Sequence, residues 1–164
     1  MYDYIVFDLD GTLSDSAVGI GRSINHSLMV HGYAEQSIAD LLQYFGPPID
    51  HTFTRITATL DKPHINSLVA VFRERYSTIG FSENELYEGI EAALQGLYQS
   101  GAKLGICTSK RSDLAEKVLQ LFGLRGYFQF VCGGDIGIQK WQLIPLGKPP
   151  ALPGDSQSLT IPGK

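Results

Sequence analysis

The chain has 164 residues, 43% of them hydrophobic and 18% charged, which suits one core domain with a small insertion and excludes wholesale disorder. Its formal net charge of −4 comes without a long Lys/Arg run, so charge gives no case for nucleic acid or an anionic membrane as a partner. The opening MYDYIVFD carries an early acid and no basic stretch, unlike a secretory signal, and no apolar run approaches the roughly 18 residues that span a bilayer. Cys107 and Cys132 lie in separate apolar runs without CxxC or zinc spacing and read as reduced, buried thiols. The expected location is the cytoplasm.

Tyr4 to Leu9, led by Ile5, Val6 and Phe7, is too apolar for a half-solvated strand and fits a parallel one. Gly11 then opens a turn. From Ser16 to about Ile79 the period is helical. Ile20, Ile24 and Leu28 make one stripe behind Asp15 or Ser16 as N-cap. Ile38, Leu41 and Leu42 make a second, ended by Gly46-Pro47-Pro48. Asp50 is placed to cap a third helix with Phe53, Ile56 and Leu60 on one side. Pro63 suits the first turn of a fourth, with Ile65, Leu68, Val69, Phe72, Tyr76 and Ile79 as its stripe. No convincing strand falls in this block. Ile90, Leu94 and Leu97 form a helix stopped at Gly101. Lys103 to Cys107 is a strand, Ser112 to Phe122 a helix stopped at Gly123, and Tyr127 to Cys132 a strand. That alternation predicts a parallel α/β sheet. Residues 141–164 hold Pro145, Pro149, Pro150, Pro153 and Pro162 of the chain's eight prolines, and read as an irregular tail.

Asp8 and Asp10 are placed at the carboxyl end of the first strand, where open parallel sheets bind ligands. Positions i and i+2 leave a strand on the same side, so both carboxylates can face one small volume. Their repulsion calls for a bound cation or a shared proton, and a hard, oxygen-liganded Mg²⁺ suits two carboxylates and several waters. Gly11 lets the backbone turn its N–H groups toward an anion. The same residues also make an ordinary Asx-type turn. An EF-hand loop is excluded, because it needs glycine at its sixth position and Gly11 is fourth counted from Asp8.

FDLDGTLSDS resembles the first motif of the haloacid dehalogenase-like phosphatases. The helical block resembles their small cap domain. Tyr87-Glu88-Gly89 before a helix, then KLGICTSK, then YFQFVCGGD resemble their phosphoglycolate phosphatase-like branch, and the likeness runs from Met1 to about Lys140. It implies an α/β fold: a Rossmann-like parallel sheet, incomplete here, with a helical cap inserted after the first strand. Residues 1–14 and 83–140 would be the core, 15–82 the cap and 141–164 the tail.

The resemblance implies a Mg²⁺-dependent phosphomonoester hydrolase acting on a small phosphorylated metabolite through an aspartyl-phosphate. Asp8 would be the nucleophile and Asp10 the acid and base; Asp8 by its carboxylate and Asp10 by its backbone carbonyl would hold Mg²⁺. Thr108, with Ser109 beside it, matches the hydroxyl residues that bind the phosphoryl oxygens. Lys140 matches the lysine that neutralises Asp8 and the phosphoryl group, with Lys110 a competing cation beside Thr108. Arg22, His26 and the Gly46-Pro47-Pro48 turn are candidates for facing the leaving group.

The family's fourth motif, an apolar strand ending in Gly-Asp, completes its metal site. Here Gly154-Asp155 follows Pro153, a poor residue for a central strand, and Leu159 stands where a second acid is usual, which leaves Asp155 outside the expected ligand set. Without that strand Tyr4 to Leu9 becomes an apolar edge open to self-association. A truncated or frameshifted reading frame would account for the abrupt change after Lys140. A relic that binds phosphate or a partner without turnover, and a phosphomutase, stay open as alternatives. A receiver domain fits less well, given the helical insertion directly after the first strand.

Overall fold

Hydrophobic period sets the elements along residues 4–134, the span that the computed structural model describes. In chain order they are β1 (Tyr4–Phe7), β2 (Ser14–Asp15), α1 (Ala17–Val30), α2 (Ile38–Leu41), α3 (Ile49–Thr57), α4 (Lys62–Thr78), β3 (Glu85–Leu86), α5 (Ile90–Gln99), β4 (Lys103–Cys107), α6 (Ser112–Leu121) and β5 (Phe128–Cys132). The chain divides into two units, Met1–Leu13 with Tyr87–Lys164, and Ser14–Leu86.

The first unit is α/β. Its parallel sheet has the order β1-β4-β5. Tyr4 pairs with Lys103 and the register runs on to Phe7 with Ile106. On the other side of β4, Leu104 pairs with Phe128; the register then shifts so that Gly105 meets Phe130 and Cys107 meets Cys132. Leu104 and Ile106 are fully buried, as are Val118 and Leu119 of α6, and Leu94 of α5 is almost so. These are the positions whose spacing marks the inward faces. Among the described residues β1 pairs on one side only, with β4, and Val6 is 50% exposed. The first strand is therefore shorter and more open than its apolar sequence suggests.

The second unit is built on α1 and α4. Ile24, Leu28, Leu41, Phe53, Ile65, Leu68 and Val69 form its core, with Ile20, Tyr44, Ile56 and Phe72 packed around it. Ser16 occupies the N-cap of α1 without a side-chain bond; Asp15 Oδ1 instead accepts from Ala17 N at 2.9 Å. Ser37 caps α2 by accepting from Asp40 N at 3.1 Å while its hydroxyl donates to the Asp40 carboxylate at 2.6 Å.

Three details depart from the sequence reading. Pro48, not Asp50, is the N-cap of α3, and Asp50 sits in its first turn. That helix stops at Thr57 with Ala58 left-handed at φ 53°, so Leu60 falls outside it and is 85% exposed. A two-residue antiparallel pair, Ser14 with Leu86 and Asp15 with Glu85, closes the base of the insertion. Strands of two residues carry too little alternation to be read from sequence.

Candidate active site

β1 ends at Phe7, and the next three residues alternate. Leu9 is fully buried, while Asp8 is exposed and Asp10 partly so. One buried leucine between two acids anchors the strand end in the core and sends both carboxylates the other way. Asp8 Oδ1 accepts from Leu9 N at 2.7 Å. Gly11, at φ 75°, makes the turn, and Thr12 N and Leu13 N return to Leu9 O at 3.3 and 2.9 Å. The pair predicted from spacing is thus held by a tight, backbone-bonded turn.

The second wall of the site comes from the loop after β4. Thr108 is 7% exposed and its N–H donates to Cys132 O at 3.0 Å. Its Oγ1 accepts from Lys110 N at 3.3 Å. Ser109, on the same loop, is exposed. Lys110 turns inward: its side chain is 5% exposed and Nζ lies 2.8 Å from Asp10 Oδ2. Asp10 Oδ1 is buried without a hydrogen-bond partner. Burial pushes the Cys107 thiol up, and the charge of Asp8 adds to it. Cys132 is raised by burial first and then by Cys107.

The turn after β5 seals this loop. Gly134 N donates to Lys110 O at 2.9 Å and Gly133 N to Ser112 Oγ at 3.1 Å. A Cβ on Gly133 would overlap Ser112 N and Lys110 O, and one on Gly134 would overlap Ser109 O. Only glycine allows the two loops to approach this closely.

Asp8, Asp10, Thr108 and Lys110 are therefore brought to one end of the sheet. Lys140 and Asp155 lie outside the described residues. Arg22 and His26 are exposed on α1, and Arg22 Nη1 binds Glu83 Oε1 at 3.0 Å. Pro47 and Pro48 precede α3, both exposed. Sequence reasoning placed Lys110 second to Lys140 as the cation for Asp8 and the phosphoryl group and missed its pairing with Asp10; the signal was its position two residues after the strand-ending Thr108.

The oxygens present suit a hard cation. Asp8 supplies an exposed carboxylate, and Asp10 a partly buried one whose Oδ1 lacks a hydrogen-bond partner. Among the described residues no group of three or more His, Cys, Asp and Glu could hold a metal ion. Magnesium, which keeps several waters and uses one or two carboxylates, fits such a sparse donor set.

A parallel α/β unit, with an acidic pair where its first strand ends and a helical unit inserted in the sequence after that pair, defines a class of proteins that handle ligands at the carboxyl edge of the sheet. The chain belongs to the haloacid dehalogenase-like hydrolase family, whose model matches residues 5–140. It is 33% identical to a 5'-nucleotidase of Pseudomonas aeruginosa over 82% of this chain and 61% of that protein. It is 32% identical to a phosphoglycolate phosphatase of Cereibacter sphaeroides over 80% of this chain and 62% of that one. The solved structure of Protein Tyrosine Kinase A of Mycobacterium tuberculosis matches with a TM-score of 0.70 at 32% identity, over 80% of this chain and 59% of that chain. The chain spans about three fifths of the length of these relatives. Among the described residues no helix is long and apolar enough to cross a membrane.

Proposed function

We propose that the chain carries the phosphoryl-transfer site of a Mg²⁺-dependent phosphomonoester hydrolase, phosphoglycolate phosphatase-like, acting on a small soluble phosphate of the cytoplasm. The observation that carries this reading is the Asp8/Asp10 pair flanking buried Leu9 at the end of β1, with Thr108 and Lys110 arriving from the end of β4. In this reading the inserted helical unit is a cap that selects the substrate.

The Leu9 N–H holds Asp8 Oδ1, leaving Oδ2 to attack phosphorus. The new Asp8–phosphorus bond forms as the bond to the leaving oxygen breaks, and Asp10 gives that oxygen its proton. Asp10 then takes a proton from water, which attacks phosphorus, breaks the Asp8–phosphorus bond and releases inorganic phosphate. Thr108 and Ser109 donate hydroxyl hydrogens to the phosphoryl oxygens. Mg²⁺, held by the Asp8 carboxylate and the Asp10 carbonyl, would offset the charge on the transferring group. Lys140 would neutralise Asp8 in the same way.

The test is hydrolysis of an aryl phosphate in Mg²⁺ by the full chain. Asp8→Asn is expected to lower kcat by more than about 1,000-fold, the scale on which loss of a nucleophile acts. Equal rates in the two proteins overturn the mechanism. A second reading, phosphate binding without turnover, is favoured by Pro153 before Gly154-Asp155, a poor residue for the strand that would carry the family's further metal carboxylate. It predicts weak Mg²⁺ binding in a calorimetric titration and no turnover at any substrate concentration.

A further inference from the structure

We infer that Lys110 is the positioning residue for Asp10, and that the backbone of Gly133-Gly134 holds Lys110 in place. This rests on the reading of Asp10 as the group that moves the proton, and it adds what fixes that group.

A lysine two residues past a strand end would ordinarily run its ammonium into water. This one is 95% buried by side chain, 5% remaining exposed. A buried ammonium is tolerated only when it is paired and hydrogen-bonded, and Asp10 Oδ2 at 2.8 Å supplies the pair. The backbone leaves the loop little freedom to move away. Lys110 N is tied to Thr108 Oγ1 on one side, and Lys110 O to Gly134 N on the other. Gly133 N reaches Ser112 Oγ, at the start of α6. The turn after β5 therefore clamps the turn after β4, and the clamp aims one ammonium at one carboxylate oxygen.

The consequence falls on Asp10. Lys110 fixes Oδ2 and with it the rotation of the Asp10 carboxylate, whose Oδ1 is buried without a hydrogen-bond partner. A carboxylate free to rotate would sample many orientations; this one is held in a single orientation for the leaving group, and later for water. Removing Lys110 should therefore harm the steps that need proton transfer and spare those that do not.

The first arm compares two substrates in Mg²⁺ with the full chain. Nitrophenolate leaves without a proton, whereas an alkoxide needs one. Lys110→Met is expected to lose about 100-fold in kcat on an alkyl phosphate and less than about 10-fold on nitrophenyl phosphate, with KM little changed, as for loss of general acid catalysis. Equal losses on both substrates overturn the positioning role. The second arm is independent of turnover. Lysines are acetylated in the native chain and read by mass spectrometry, with exposed Lys62 as the internal reference. Lys110 is expected to react at least about tenfold more slowly than Lys62, because its amine is buried and paired. Asp10→Asn and Gly134→Ala should each narrow that gap, and Asp10→Asn carries the arm if the alanine variant does not fold. Lys110 reacting as fast as Lys62 in the unchanged chain, or indifferently to Asp10→Asn, overturns the clamp. A chain that hydrolyses neither phosphate overturns the hydrolase reading, while the labelling still decides the clamp.

Discussion

Glu83 accepts from two guanidinium groups at once. Arg75 approaches as a fork, Nη1 to Oε2 at 2.8 Å and Nη2 to Oε1 at 3.1 Å, and Arg22 Nη1 adds a bond to Oε1 at 3.0 Å. Arg75 also donates to Ser23 Oγ at 2.9 Å, so the group is fixed to α1 as well. Hydrogen bonding to Arg75 is the largest influence on Glu83; with Arg22 it outweighs burial and holds the carboxyl below its usual range. A carboxyl with a depressed pKa in the folded state adds stability above its unfolded pKa and loses it as pH falls through the folded value. Glu83→Gln should therefore cost about 2 kcal/mol near neutral pH, the scale of a hydrogen bond to a charged group. The gap between the two proteins should close in acid, below the ordinary carboxylate range. Urea melts of both at neutral and acidic pH check this, and a gap that stays constant with pH counts against it. At this scale the acidic pair Asp8/Asp10 was legible, because i and i+2 spacing at a strand end is a local property. The pairing of Lys110 with Asp10 was not, because it depends on Gly133 and Gly134 of one turn meeting the residues that follow β4.

Among the elements, the helices of the insertion followed their stripes closely wherever a stripe was long. Ile65, Leu68, Val69 and Tyr76 of α4 are all buried, as read from their spacing. The failures came at ends and in short pieces. Leu60 has the right period for α3 but lies beyond a left-handed Ala58, and Ile79 ends α4 at 54% exposure. Period says which face is apolar and nothing about where the backbone leaves the helix. Phe53 is the point at which α3 enters the core: it is fully buried and packs edge-on to Phe72 of α4, with ring centroids 6.3 Å apart. Phe53→Ala should lower the stability of the helical unit by about 3–5 kcal/mol, through lost burial and the cavity left behind. Leu60→Ala, outside the helix, should change it by less than about 0.5 kcal/mol. Thermal unfolding of both variants against the parent tests the pair, and similar losses in the two would mean that α3 is not anchored through Phe53.

For the molecule as a whole, the parallel α/β class was legible because strands and helices alternate after residue 89, while an edge at β1 was expected from the departure at the family's fourth motif and not from the composition of Ile5, Val6 and Phe7. In the sheet β1 pairs with β4, and among the described residues with nothing else, so apolar surface remains at Val6. An apolar edge strand is a template for another strand, and a second copy of the same chain is the partner always at hand. The expectation is weak association that grows with concentration and passes through this edge. A lysine there removes the template, because pairing would bury its charge, while the monomer keeps it in water. Val6→Lys should therefore lower the weight-average mass in a sedimentation concentration series and change stability by less than about 0.5 kcal/mol, as for an exposed site. An unchanged chain that stays monomeric across the series would refute the edge as an association surface. Association that persists in Val6→Lys would move the contact elsewhere on the molecule.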